Sequence, residues 1–213
     1  MHATRFDPAF RDGLAELFRW RRDERHFLTT PLPDGEMLDL LRLAQLAPSV
    51  GNSQPWRFVR VRSASLRSRL AEHVDEHIAL AGKAFETAEK QEAYRALKLH
   101  GLREAPEVLA VFCDETTRDG SGLGAATMPQ ARAYSVVLAI HTLWLAARAR
   151  GIAVGWVSIL DPVFVAGLLD AEPDWQLIAL LCVGYPVAEA AVPELERRHW
   201  QTRNDWTATI SAR

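Results

Sequence analysis

Across 213 residues, 25 Lys and Arg stand against 27 Asp and Glu, and this near balance excludes a basic surface built to hold nucleic acid. A composition 48% hydrophobic and 24% charged excludes a disordered chain. The longest uncharged stretch, Ala133 to Ala147, falls short of the roughly 20 residues of a bilayer span, so it reads as a core helix and no membrane association is expected.

The N-terminal Met-His-Ala-Thr-Arg-Phe-Asp has no apolar h-region, which makes a cytoplasmic location the expectation. Cys113 and Cys182 each lie inside an apolar run and read as buried, reduced thiols. With no internal repeat and no low-complexity linker, residues 1–213 are expected to form one domain.

Phe10, Leu14, Leu17 and Phe18 fall at helical spacing after Pro8 and predict a helix to about Arg21, with Arg21-Arg22-Asp23-Glu24-Arg25 where it ends. Pro31 to Gly35 is a breaker. Asp34 is then the expected N-cap of a second helix carried by Met37, Leu40, Leu41 and Ala44 and stopping near Pro48. Val59 and Val61 alternate with Arg60 and Arg62 in a strand from Trp56 to Arg62 with one polar face. Leu66, Leu70, Val74 and Ile78 mark a helix after it, and Gln91 to Leu102 predicts another, interrupted by Pro106. Val108 to Cys113, apolar throughout, reads as a strand covered on both faces.

Beyond the glycine-rich Asp119 to Gly124, the stretch Pro129 to Arg150 predicts a long helix stopped by Gly151 and apolar on nearly every side. Such a helix needs cover all round, which a homodimer supplies most simply. Ile152 to Ser158 and Leu177 to Gly184 read as two further strands, joined by a helix that Asp161-Pro162 starts. The fold class is therefore α+β, a sheet of four or five strands flanked by helices.

Three stretches carry candidate chemistry. Ala47 to Trp56 (Ala-Pro-Ser-Val-Gly-Asn-Ser-Gln-Pro-Trp) joins a helix end to a strand, with Gly51 permitting close backbone approach and Ser49, Asn52, Ser53 and Gln54 offering donors and acceptors. It suits a planar heterocycle, and equally an Asx or Ser turn before a Pro-Trp packing corner. The Arg21 to Arg25 run by itself reads first as a solvated surface, as charge runs usually do. His73-Val-Asp-Glu-His77 has the spacing of an inverted zinc-peptidase motif. It lacks a convincing third ligand, and its histidines flank an apolar stripe as boundary residues do, so no metal is expected.

Taken together, the Arg-rich run, His26-Phe27 and the Ser-Val-Gly-Asn-Ser-Gln-Pro-Trp loop resemble the flavin-dependent nitroreductase superfamily, in which such elements hold FMN at a dimer interface. Gly155-Trp-Val-Ser-Ile, Leu143-Trp-Leu-Ala-Ala-Arg148, Thr127-Met-Pro129 and Leu181-Cys-Val-Gly-Tyr-Pro186 narrow the resemblance to its 5,6-dimethylbenzimidazole synthase branch. The resemblance implies a nitroreductase-like mixed sheet in an intertwined homodimer, and an enzyme that takes reduced FMN as substrate. With O₂ as co-substrate it fragments the flavin to 5,6-dimethylbenzimidazole, the lower ligand of vitamin B12, and erythrose 4-phosphate. The alternative is an FMN-dependent NAD(P)H nitro or quinone reductase; a flavin-storage protein is a third reading. No G-x-G-x-x-G follows a strand, which favours a separate flavin reductase as the source of reduced FMN.

Carried over residue by residue, the resemblance makes Asp23 and Ser158 catalytic. It assigns flavin contacts to Arg21, Arg22, Glu24 and Arg25, with Arg21 on the phosphate and Arg25 near flavin N1 and O2. Further contacts are implied for Pro48, Ser49, Gly51, Asn52 and Gln54, for Arg95 and Lys98, and for Gly155, Trp156 and Val157. Arg203 is expected to add a phosphate contact from the C-terminal arm. The residue types suit the task. Guanidinium forks match phosphate, and a carboxylate with a hydroxyl beside it suits proton movement among flavin nitrogens.

Overall fold

The computed structural model describes residues 6–213. Its centre is a sheet of β1 (Trp56–Arg60), β2 (Glu107–Asp114), β3 (Ala153–Val157) and β4 (Trp175–Gly184), in the order β1-β2-β4-β3. Every pair is antiparallel, so the mixed sheet expected from the sequence is corrected. The one parallel pairing among the described residues is an isolated bridge between Asp23 and Val154.

Period-two alternation sorts the central strands onto two layers. Leu109, Val111 and Cys113 of β2 join Leu181 and Val183 of β4 beneath α2 (Glu36–Ala44) and α5 (Ala131–Arg148). Val108, Ala110 and Phe112, with Leu180 and Cys182, face α3 (Ala64–Lys83) and α6 (Pro162–Leu168). A strand covered on both sides must be apolar at every position, which is why Val108 to Cys113 reads as it does. Burying each of its large side chains stabilises the fold by about 1.5–3 kcal/mol. On β1, Arg57 and Arg60 are half-buried against Asp114 and Glu107 of the neighbouring strand, at 2.6 Å for the first pair, so the expected polar face is a row of cross-strand ion pairs.

Helix ends depart from expectation in two places. The N-cap of α2 is Gly35, with φ 84°, one residue beyond Asp34. α4 (Ala88–Arg95) starts earlier and stops sooner than Gln91 to Leu102. Beyond it the His100 ring accepts the Leu102 N–H at 3.3 Å and meets Asp75 at 2.8 Å, a side-chain bonding pattern that replaces the helical ladder. α1 (Pro8–Trp20), capped by Asp7, and α6, capped by Asp161, begin where expected, while α7 (Glu194–Arg197) is a single turn.

α5 is apolar on two sides. Val136, Ile140, Leu143 and Ala147 are buried toward the sheet. Tyr134 (54% exposed), Val137 and Leu138 (45%) face outward, and Phe10, Leu14 and Phe18 on α1 are likewise exposed. No helix among the described residues is long and apolar enough to cross a membrane.

Candidate active site

Arg21 ends α1 with ψ 125°, and the chain from there to Leu28 runs extended along the sheet edge. Glu24 N–H donates to Val154 O at 3.1 Å and Leu28 N–H to Tyr185 O at 2.9 Å. In an extended chain successive side chains point to opposite sides, and the charge run is divided accordingly. Asp23 and Arg25 share one side, where both guanidinium nitrogens donate to the carboxylate. Arg22 lies on the other, its Nε donating to Ala190 O at 2.9 Å and its remaining nitrogens to the carbonyls of Arg19, Arg21 and Ala191. Burial, with Arg21 next to it, lowers the Arg22 pKa from its ordinary value. His26 also turns that way, 3.3 Å from Glu194, and Glu24 accepts the N–H groups of Arg25 and His26 at 2.8 Å each.

β3 receives this segment. Trp156 N–H donates to Asp23 Oδ1 at 2.8 Å, two residues before Ser158. A Cβ on Gly155 would stand 1.9 Å from Glu24 O, so only glycine lets the two backbones come this close. Val157 is buried, Trp156 half-buried, and Ser158, just past the strand, is exposed. Among the described residues the Ser158 hydroxyl makes no hydrogen bond. Asp23 and Ser158 are thus joined through one short stretch of β3.

The Ala47 to Trp56 loop is fastened by hydrogen bonds and open on one side. Gly51, Asn52 and Gln54 have φ between 46° and 57°. Ser49 Oγ accepts the Gln54 N–H at 3.1 Å, and Val50 N–H donates to Ser135 Oγ at 3.0 Å, tying the loop to the second turn of α5. Trp56 Nε1 donates to Gln45 at 2.7 Å. Pro48, Asn52 and Gln54 are exposed, while Ser53 Oγ is buried without a hydrogen-bond partner among the described residues. The glycine-rich 119–124 segment packs on this loop, since a Cβ on Gly120 would lie 2.4 Å from Gly51 O. That contact and the Ser135 anchor join residues 69 and 85 positions apart, and the glycines at 120, 122 and 124 are the only trace of them in the sequence.

The remaining candidates are dispersed within one chain. Arg21 lies over the Trp144 ring, 5.2 Å from its centroid, and no carboxylate pairs with it among the described residues. Arg95 donates to Gln91 O at 3.2 Å and Lys98 pairs with Glu104 at 2.8 Å, so neither joins Asp23 and Arg25 here. Arg203 lines a cleft of about 610 Å³ with Arg19, Arg22 and Glu196. Arg22, expected as a flavin contact, donates to main-chain carbonyls within the single chain.

An antiparallel sheet with helices on both faces, a strand-end serine and an Asn-Ser-Gln-Pro-Trp loop define a nitroreductase-fold protein. The chain belongs to the nitroreductase family, whose model matches residues 18–185. It is 58% identical over 198 residues to a 5,6-dimethylbenzimidazole synthase of Rhodospirillum rubrum, covering 93% of each chain. It is 47% identical to one from Rhodobacter capsulatus, covering 92% of this chain and 94% of that one. Among solved structures, iodotyrosine deiodinase bound to FMN and 3-iodo-L-tyrosine superposes with a TM-score of 0.72 at 23% identity, over 94% of this chain and 97% of that one.

Proposed function

We propose that this chain uses O₂ to fragment reduced FMN into 5,6-dimethylbenzimidazole and erythrose 4-phosphate. The observation that carries the reading is the Asp23 carboxylate bonded to the Trp156 N–H, two residues from a Ser158 hydroxyl that makes no hydrogen bond among the described residues. Relatives at 58% and 47% identity named for this synthesis support it. The residues suit a flavin independently: among the described residues the Arg21 guanidinium has no carboxylate partner, and the Ser49 to Gln54 loop carries exposed polar groups beside a Ser53 hydroxyl that has no hydrogen-bond partner.

Reduced FMN supplies the electrons that O₂ takes and the carbon skeleton of the product. Arg21 binds its phosphate. Arg25, oriented by Asp23, presents positive charge to the anionic edge of the ring, and Ser49 to Gln54 bond its heteroatoms. Asp23 moves protons at the ring nitrogens and the ribityl C1′, with the Ser158 hydroxyl orienting a reacting oxygen or nitrogen. A separate flavin reductase supplies the reduced flavin.

The site is completed by a second copy of the chain. The outward face of α5 and the apolar face of α1 are covered in the homodimer, and Arg95, Lys98 and Arg203 reach flavin across it. Light scattering should give twice the 23.8 kDa chain mass, with one FMN per chain; a folded monomer binding FMN at full stoichiometry would disprove the shared site.

Arg21→Ala is expected to weaken reduced-FMN binding by roughly 10- to 150-fold, the loss of one charge-assisted contact of about 1.5–3 kcal/mol. Anaerobic titration measures it, and unchanged affinity removes Arg21 from the phosphate. The function itself is tested by mixing chemically reduced FMN, air and protein and separating the products by chromatography. Dimethylbenzimidazole supports the synthase, whereas NAD(P)H turnover with flavin recovered intact makes the chain a reductase.

A further inference from the structure

The His73-Val-Asp-Glu-His77 motif has a use other than metal. His73 is buried on α3, and its Nε2 accepts the backbone N–H of Asp161 at 2.9 Å. Because the donor is an amide, Nε2 carries no proton, and the neutral ring keeps its hydrogen on Nδ1. Phe164 of α6 stacks on the ring with centroids 4.0 Å apart and planes at 11°. The His77 ring lies 4.1 Å away on α3, its Nδ1 3.0 Å from His73 O.

Asp161 caps α6, its carboxylate accepting the Val163 N–H at 2.8 Å. Between β3 and α6 the chain is only Ser158-Ile159-Leu160-Asp161, and it is fastened by a side chain on each flank. Asp23 holds the Trp156 N–H and His73 holds the Asp161 N–H. Ser158 sits between the two fasteners.

We propose that His73 is a positioning residue for Ser158: as neutral imidazole it fixes the corner that presents the serine hydroxyl, and protonation releases that corner. The inference rests on the reading of Ser158 as acting on the flavin. A protonated ring would set an N–H against the Asp161 N–H, turning an acceptor into a second donor in a buried place. The charged and titratable groups facing the ring are His77 and Glu76 on α3 and Asp161 on α6. Burial and His77 lower the His73 pKa from 6.5, against the opposing pull of Asp161 and Glu76. With the folded value below the unfolded one, the stabilisation is complete above the ordinary imidazole range and is lost as pH falls through it toward the folded value.

The test follows product formation from reduced FMN in air across the acid side of neutrality, for wild type, His73→Gln, His73→Leu and Ser158→Ala. Anaerobic flavin affinity is measured at each pH. In ¹⁵N-labelled protein, the scalar coupling across the Asp161 N–H···Nε2 bond reads the corner directly. Wild type should lose rate with a midpoint below 6.5 while affinity holds, and the coupling should vanish over the same range.

Glutamine offers an oxygen to the same N–H and does not titrate, so His73→Gln should keep most of the neutral rate and lose that acid limb. His73→Leu should lose roughly 10- to 100-fold at every pH, as misplaced catalytic groups do. An acid limb retained in His73→Gln at the wild-type midpoint, with Ser158→Ala inactive, overturns the positioning role alone. A coupling that persists through the limb also overturns it. Wild-type rate in Ser158→Ala overturns the reading of Ser158 and this proposal with it.

Discussion

Asp23→Asn is expected to cut dimethylbenzimidazole formation by roughly 10²- to 10⁴-fold, the usual worth of a positioned general acid or base, while reduced-FMN affinity changes by no more than a few fold. The amide oxygen can still accept the Trp156 N–H that fastens β3. What it cannot do is take a proton, and its NH₂ group offers Arg25 no second acceptor. Ser158→Ala should show the same signature. Because that hydroxyl is exposed, its removal should leave stability within about 0.5 kcal/mol of wild type. Stopped-flow absorbance of reduced flavin in air, with product chromatography, separates rate from binding. Product formation at the wild-type rate by both variants would leave the reaction standing and remove these two residues from it.

Gly155→Ala should be the most damaging single methyl in the chain's active region. The added Cβ would lie 1.9 Å from Glu24 O and 3.1 Å from an Arg25 guanidinium nitrogen, so the extended segment must lift off β3. Lifting it breaks the Glu24 N–H bond to Val154 O and misplaces both Asp23 and Arg25. Overpacking of this kind costs about 1–3 kcal/mol, a fall of roughly 2 to 12 °C in Tm for a chain of this length, together with loss of flavin binding. Gly167→Ala is the matched control: nothing lies within 4 Å of its Cβ and its position is helical, so stability should rise by about 0.4–1 kcal/mol. Differential scanning calorimetry with flavin titration decides it; a Gly155→Ala protein as stable as wild type would mean the segment does not lie against β3 this closely.

Most of the architecture was legible because burial on both faces leaves a plain record. β2 and α5 could be read from uninterrupted apolar residues, and α3 from Leu66, Leu70, Val74 and Ile78 at helical spacing. The strand that begins at Trp56 was legible from Val59 and Val61, yet its arginines gave no hint that Asp114 and Glu107 would meet them, since ion pairs between strands leave no local pattern. The end of α4 was hidden for a similar reason: His100 bonds Asp75, 25 residues away, and no periodicity reports that. At the site, the Arg21 to Arg25 run was legible as important but not as sorted. Read as a helix end it offers every charge to one ligand; read as an extended edge it sends Arg22 to the carbonyls of Ala190 and Ala191 and leaves Asp23 with Arg25. The switch from one period to the other at Arg21 depends on β3 being there to pair with.

The two cysteines are shielded from oxidants. Cys113 on β2 and Cys182 on β4 are fully buried on opposite layers of the sheet. Burial pushes both thiols up, Cys182 to about 12. Peroxide attacks the thiolate, and at neutral pH these side chains hold almost none. Both side chains are also closed off from solvent, so an oxidant reaches them only when the folded chain opens.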